Sequence, residues 1–400
     1  MKKVQLLLSA IILFSVYCAQ AQEVKAPKFG KGIFDIKGED DSWSMNLSAR
    51  MQFLAISEWE SEDGNLANPE SNFLIRRARL KFKGFAFSPK LQYKIELGLS
   101  NRDIGGASEF TNNAPRYILD AVIKWNFYGN FTLWAGQTKL PGNVERVISS
   151  GDLSLVDRSL VNSRFNIDRD VGVQLRHHFK LSENFIVREK VSISQGEGRN
   201  VTTGNLGGHQ YTGRIEMLPF GSFKGKGELK GSDLVREENF KLAVGATYDF
   251  NNNAVKTRSN LGSYMETDTG FYETNINTFF VDAMIKYRGF SFMGEYASRD
   301  AKDAVAKNAD GTATGAIVQI GNGLNLQAGY LFNNNYEVTG RYTNIDLDRI
   351  TGKGLEQQYT LGVSKFIVGH KLKIQTDISY LSKENSNNQL MYRLQFDVHF

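Results

Sequence analysis

Cysteine is almost absent from these 400 residues, and the single one, Cys18, lies in an N-terminal apolar stretch. If that stretch is removed on export, the mature chain has no thiol, so neither disulfides nor a thiolate metal site can enter its chemistry. Proline is scarce at six, and beyond Cys18 no segment approaches the roughly 18 consecutive apolar residues of a transmembrane helix. Catalytic signatures are missing too. His177, His178, His209, His370 and His399 are scattered, and no H-E-x-x-H, G-x-S-x-G or phosphate-loop pattern occurs. Gly204 to Gly208 reads as flexible loop because no helical pattern follows it. We therefore expect no enzyme, no cofactor and no metal. The formal net charge of +5 falls to +3 once Lys2 and Lys3 are set aside, too weak to indicate a nucleic-acid partner.

What is present begins with export. Met1-Lys2-Lys3, an apolar run from Val4 to Cys18 and Ala19-Gln20-Ala21 have the basic, apolar and small-residue order of a secretory signal peptide. Acylation at Cys18 is the rival reading, disfavoured by bulky Tyr17 before it. Cleavage after Ala21 divides the chain into a signal peptide (1–21), a periplasmic lead-in (22–42) and one folded unit (43–400). That unit is rich in aromatics and glycine, with 27 Phe, 16 Tyr, 4 Trp and 38 Gly in the whole chain.

Its dominant signal is period-two alternation, which places successive side chains on opposite faces of a strand. Around Phe73 to Phe85, Leu74, Ala78, Leu80 and Phe82 share one face, with Arg76 as an exception, while Arg77, Arg79, Lys81 and Lys83 share the other. Four cations in a row cannot face a core. Met45, Leu47, Ala49, Met51 and Phe53 alternate with Ser44, Asn46, Ser48, Arg50 and Gln52, and Leu91 to Ser100 repeats the pattern with Lys94 on the polar face. The dyad returns near 116–127, 131–139, 169–180, 184–194, 209–218, 239–250, 274–288, 290–299, 323–333, 336–346, 355–367, 371–382 and 390–400. This makes about 16 strands of roughly ten residues, the length of a tilted membrane-crossing strand.

The connections alternate as well. Short ones such as Ser88-Pro89, Tyr128-Gly129-Asn130, Arg288-Gly289 and Asn333-Asn334-Asn335 have turn chemistry, and between them lie long ones at 58–72, 101–115, 140–168, 251–273 and 300–322. The 219–238 connection breaks this rule by being long and charged on the short side, and Gly315 to Ile320 could add a strand. Trp43, Trp59, Tyr117, Trp125, Tyr248, Tyr287, Tyr330 and Tyr392 sit near strand ends, as interfacial girdles do. The last strand ends on Phe400, resembling the C-terminal signal read by the barrel assembly machinery. These features predict an all-β fold, a 16-stranded antiparallel transmembrane barrel with short periplasmic turns and long extracellular loops, in a Gram-negative outer membrane.

The Phe73–Gly84 segment, with Arg76-Arg77-Ala78-Arg79 at its centre, resembles the second-strand motif of the phosphate-selective porin O and P family. Trp134-Ala135-Gly136-Gln137, Gly340-Arg341-Tyr342 and the Phe400 terminus are similar to that family too. The resemblance implies a 16-stranded barrel, commonly a homotrimer, passing small anions such as phosphate or polyphosphate through a channel lined by basic residues. On that reading Arg50, Arg77, Arg79, Lys81, Lys83 and Lys94 form an anion-selective ladder. By analogy with porins of this size, the 140–168 loop folds inward and narrows the channel, with Arg146, Arg158 and Arg164 as constriction candidates. A general or sugar-permeable porin and an adhesin acting through its outer loops are the alternatives.

Overall fold

The computed structural model describes residues 27–62 and 65–400, so the signal peptide and its cleavage after Ala21 lie outside the described residues. Sixteen strands close into one barrel. They are β1 (Trp43–Glu62), β2 (Asn65–Ala86), β3 (Ser88–Gly98), β4 (Ile118–Tyr128), β5 (Phe131–Lys139), β6 (Arg169–Lys180), β7 (Ile186–Ser194) and β8 (Gln210–Leu218). There follow β9 (Lys241–Ala254), β10 (Thr274–Tyr287), β11 (Phe290–Ala301), β12 (Gly321–Leu331), β13 (Tyr336–Leu347), β14 (Leu355–Phe366), β15 (Leu372–Lys383) and β16 (Asn388–His399). Each pairs antiparallel with its sequence neighbour, and β16 returns to β1 from Arg50↔His399 to Ser61↔Asn388. Closure leaves the barrel no free edge, which hydrocarbon would not tolerate. Where β1 runs on past the end of β16, a short strand, Phe34–Lys37, pairs with Ser44–Leu47 and continues the sheet.

Burial follows the alternation with inverted polarity. Outward Met51, Ile123, Val191 and Leu361 are more than half exposed, whereas Gln52, Thr278, Asn325, Gln395 and Asp397 are fully buried inside. An apolar wall around a polar interior is stable only with lipid outside and water within. The tight turns lie on the side where β1 begins and β16 ends. Arg288 and Gly289, both at positive φ, make the two-residue turn between β10 and β11 that matches the strands' right-handed twist.

Three expectations change. The 58–72 segment is not a loop: β1 and β2 pair through most of it and project as a long hairpin, because polar strands beyond the membrane need ladder bonds but no apolar face. Gly315 to Ile320 adds nothing to the barrel, since Ala313–Ile317 pairs with Val305–Lys307 in a small hairpin of the loop between β11 and β12. The turn between β2 and β3 falls at Phe87 rather than at Ser88-Pro89, and those two residues open β3.

Candidate functional site

The loop joining β5 to β6, residues 140–168, folds into the barrel and leans on the wall of β10 to β16. Its two short helices, α1 (Val144–Val147) and α2 (Leu160–Phe165), place Val161 and Phe165 against Phe280, Ala297, Ile345 and Leu347, and Val144 and Ile148 against Met284 and Met293. These wall residues occupy lumen positions that elsewhere are polar. An apolar side chain facing water gains nothing there, so the departures from parity at Phe280, Met284, Met293, Ile345 and Leu347 were the signal in the sequence that something covers this half of the lumen.

Hydrogen bonds pin the same loop. Glu295 on β11 accepts from the Glu145 backbone N–H and the Asn143 amide, both at 3.0 Å. Lys373 donates to the Leu153 carbonyl at 2.9 Å, Asp377 accepts from Val156 N–H at 3.1 Å, and Arg341 donates to the Asp157 carbonyl at 2.8 Å. The long connection between β8 and β9 also folds inward, from the opposite end. Phe223 joins the cluster around Met284, Gly231 N–H donates to the Asp152 carbonyl at 2.7 Å, and Lys286 holds the Ser232 carbonyl at 2.6 Å. This segment broke the short-turn rule because it is a second plug, braced against the first.

What stays open lies between the in-folded loop and the wall of β1 to β6, a cavity of about 480 Å³. Fifteen Lys and Arg side chains line it against five carboxylates. Of the expected ladder, Arg50, Arg77, Arg79, Lys81 and Lys94 face this cavity, with Arg146 and Arg158 of the loop opposite. Lys83 is exposed nearer the short-turn end. Arg164 is elsewhere: its guanidinium meets Glu356 on β14 at 2.7 Å, so it anchors the loop to the wall and does not line the cavity.

Arg76, the exception in the alternation, is the extra residue of a β-bulge, because Gln52 pairs with Arg77 and Phe53 with Ile75. The bulge moves Phe73 and Ile75, rather than Leu74, to the lipid face, and turns both Arg76 and Arg77 inward, where each meets Asp157 of the loop.

Charge pairing divides the cations in two. Around the loop most are committed: Arg50 to Asp397 (2.7 Å), Arg79 to Glu96 (3.1 Å) and Asp103 (2.6 Å), Lys94 to Glu96 (2.7 Å) and Asp120 (2.8 Å), Arg169 to Asp120 (3.1 Å), and Arg146 to Asp168. Arg158 binds only backbone carbonyls, those of Glu145 (2.8 Å) and Ile148 (2.7 Å). Toward the short turns the pattern reverses. Lys81, Lys124, Arg176 and Lys371 line the cavity, and among the described residues none has a carboxylate within 4 Å. Lys124 and Arg176 instead flank Trp134, the ammonium 3.9 Å and the guanidinium 3.5 Å from the ring centroid. Attraction to the ring holds the two cations in place without neutralising them. Lys124 and Arg176 were not singled out from the sequence, and Trp134 was noted only for its motif.

The Phe400 backbone N–H donates to the Ala49 carbonyl at 2.9 Å, and its ring meets Phe29 edge-on at 6.0 Å. No cluster of His, Cys, Asp and Glu able to hold a metal occurs among the described residues.

A closed, lipid-faced barrel with a wet, cation-rich interior narrowed by an in-folded loop is a porin of a Gram-negative outer membrane, a channel rather than an enzyme. The fold is shared by solved structures at low identity. The anion-selective porin from Comamonas acidovorans aligns at 11% identity over 90% of this chain and 100% of that one, with a TM-score of 0.56. The outer-membrane channel DcaP of Acinetobacter baumannii aligns at 13% over 90% and 99%, with a TM-score of 0.52. An OmpT loop-deletion mutant of Vibrio cholerae aligns at 10% over 89% and 100%, with a TM-score of 0.53. No functionally curated protein matches significantly. The model of the phosphate-selective porin O and P family matches residues 60–397, and the chain belongs to that family.

Proposed function

We propose that this porin passes small anions passively, with phosphate or polyphosphate as the preferred solute. The observation that carries the reading is the three-to-one excess of Lys and Arg over Asp and Glu along the open cavity, with eight of the fifteen cations, Lys81, Lys124, Arg176 and Lys371 among them, in no ion pair among the described residues. A cation at about 4 Å from an anion contributes on the order of 4 kcal/mol at an effective dielectric near 20, less where lumen water screens it. A row of such sites concentrates anions without trapping them. The paired arginines around the loop act differently: their guanidinium groups are oriented by Glu96, Asp103, Asp120, Asp157 and Asp397, which keeps the narrow zone rigid and hydrated. Arg50, Arg77, Arg79 and Lys94 thus frame the passage, and Lys81 and Lys83 supply the field beyond it. Arg146 and Arg158 form the facing side of the constriction. Membership of the phosphate-selective porin O and P family and the likeness to the anion-selective porin of Comamonas acidovorans support this reading. Assembly as a homotrimer, with Phe400 as the assembly signal, completes the proposal.

The test is the reversal potential of the purified protein in a planar bilayer under a KCl gradient, followed by millimolar phosphate. An anion-selective potential with chloride current reduced by phosphate is the expected outcome. Anion preference without a phosphate effect would leave a general anion-favouring porin, and no selectivity would overturn the proposal.

A further inference from the structure

Three extracellular loops meet over the mouth of the barrel. They are 99–117 between β3 and β4, 195–209 between β7 and β8, and 255–273 between β9 and β10. In the first, a single 3-10 turn, Glu109–Thr111, is fixed by the Thr111 hydroxyl, which accepts from Ser108 N–H at 3.1 Å and donates to the Ala114 carbonyl at 2.8 Å. This turn presents Phe110. In the third, Tyr264 ends a small hairpin, Lys256–Arg258 with Leu261–Tyr264, and Phe271 lies in a second one. Phe110 stacks on Tyr264 with ring centroids 3.8 Å apart and 29° between planes, and it meets Phe271 at 5.8 Å.

The span makes this contact informative. Sixteen strands about 4.8 Å apart and tilted near 40° make a barrel roughly 30 Å across, so the roots of two loops six strands apart stand roughly 25–30 Å from each other. Loops rooted so far apart touch only by reaching over the opening. The middle loop ties them together: Thr202 N–H donates to the Phe110 carbonyl at 2.9 Å, and Arg199 to the Asp103 carbonyl at 2.5 Å. On the other side Lys256 donates to the Glu197 carbonyl at 2.7 Å and lies 4.4 Å over the Tyr264 ring. Arg199 also lines the cavity below, so this roof stands directly over the open passage.

We propose that the Phe110–Tyr264 stack, buttressed by Phe271, is the clasp of an outer size filter, and that Phe110 and Tyr264 set the largest solute the channel admits. The stacked rings add a favourable contact to the apolar area they bury, enough to hold two hydrated loops together and weak enough to part. This filter acts on bulk and is independent of the charge preference proposed above.

The experiment measures swelling of proteoliposomes in a graded series of uncharged sugars, so that its failure and the failure of the anion reading are separable. In Phe110→Ala with Tyr264→Ala, sugars that the wild type excludes are expected to enter at least severalfold faster, with the anion-to-cation permeability ratio unchanged. Phe110→Tyr, which preserves the stack, is expected to keep the wild-type limit. Heat-modifiable gel mobility establishes that each barrel is folded. An unchanged size limit in the folded double variant would overturn the clasp, and so would an equal change in Phe110→Tyr.

Discussion

The two ends of the open passage carry the same kind of charge and treat it in opposite ways. Beside the in-folded loop, Arg50, Arg77, Arg79, Lys94, Arg146 and Arg169 each face a carboxylate, and several of those carboxylates serve two cations. Toward the short turns, Lys81, Lys124, Arg176 and Lys371 face the cavity with no such partner among the described residues. The difference follows from solvation. In the narrow zone, protein packs on both sides and an uncompensated charge would be costly, so pairing is needed for folding. Toward the short turns Lys81, Lys124 and Arg176 are half-buried and Lys371 is exposed, and with no carboxylate beside them their charge stays available to a passing anion. Counting basic residues therefore overstates selectivity in the first region and not in the second.

The comparison can be broken in a graded way. Removing residues 144–165 takes away the covered half of the constriction, and we expect single-channel conductance to rise severalfold while anion preference falls without vanishing, because the short-turn end is untouched. Complete loss of preference would place selectivity in the loop alone. Next, Lys81→Glu with Arg176→Glu is expected to lower the anion-to-cation permeability ratio by roughly five- to tenfold, with unfolding in urea unchanged. An unaltered reversal potential would show that the unpaired cations are idle.

Arg79→Gln should do the converse. It strips Glu96 and Asp103 of a shared partner in a site only 14% exposed, and its cost is expected in stability, up to about 3 kcal/mol, read as a lower urea midpoint. A variant as stable as wild type would refute the division of labour. The smallest effect concerns the roof. Burial, and then the charge of Arg116, holds the Lys256 ammonium down to about 8, with Arg258 acting the same way and Asp170 and Glu197 opposing. Between pH 8 and the ordinary lysine value of about 10.4 the unfolded loop carries a proton that the folded one has shed, so the roof gains stability as pH rises through that window. Amide exchange of residues 255–273, corrected for intrinsic base catalysis, should show greater protection at pH 9.5 than at 7.5. Flat or falling protection would contradict it.

Much of this was legible in the chain. Strands of the barrel announce themselves because lipid and lumen demand opposite residue types at every second position, so Met51 outside and Gln52 inside are dictated locally. The bulge at Arg76 was visible only as an irregularity: the sequence shows one residue too many in the alternation, but which of Arg76 and Arg77 is absorbed depends on the register against Gln52 and Phe53 in the neighbouring strand. The hairpin through 58–72 was missed because ladder bonds outside the membrane leave no trace in side-chain polarity. Arg164 was misplaced for a similar reason, since a cation in a loop has no parity, and its partner, Glu356, is far away in the chain.

The strand count and, outside the bulge at Arg76, the face of each strand that meets lipid were fixed by local pattern, because they depend on short-range periodicity and on the solvent that each face must see. Which cations are free depends on contacts that form when the barrel closes. Arg50 and Asp397 are separated by 347 positions and lie side by side only when the barrel closes. Arg77 meets Asp157 only once the loop folds inward. Whether a charge is spent on a neighbour or left for a solute is a matter of a few ångströms across the lumen, and that distance is set by closure and packing rather than by any pattern along the chain.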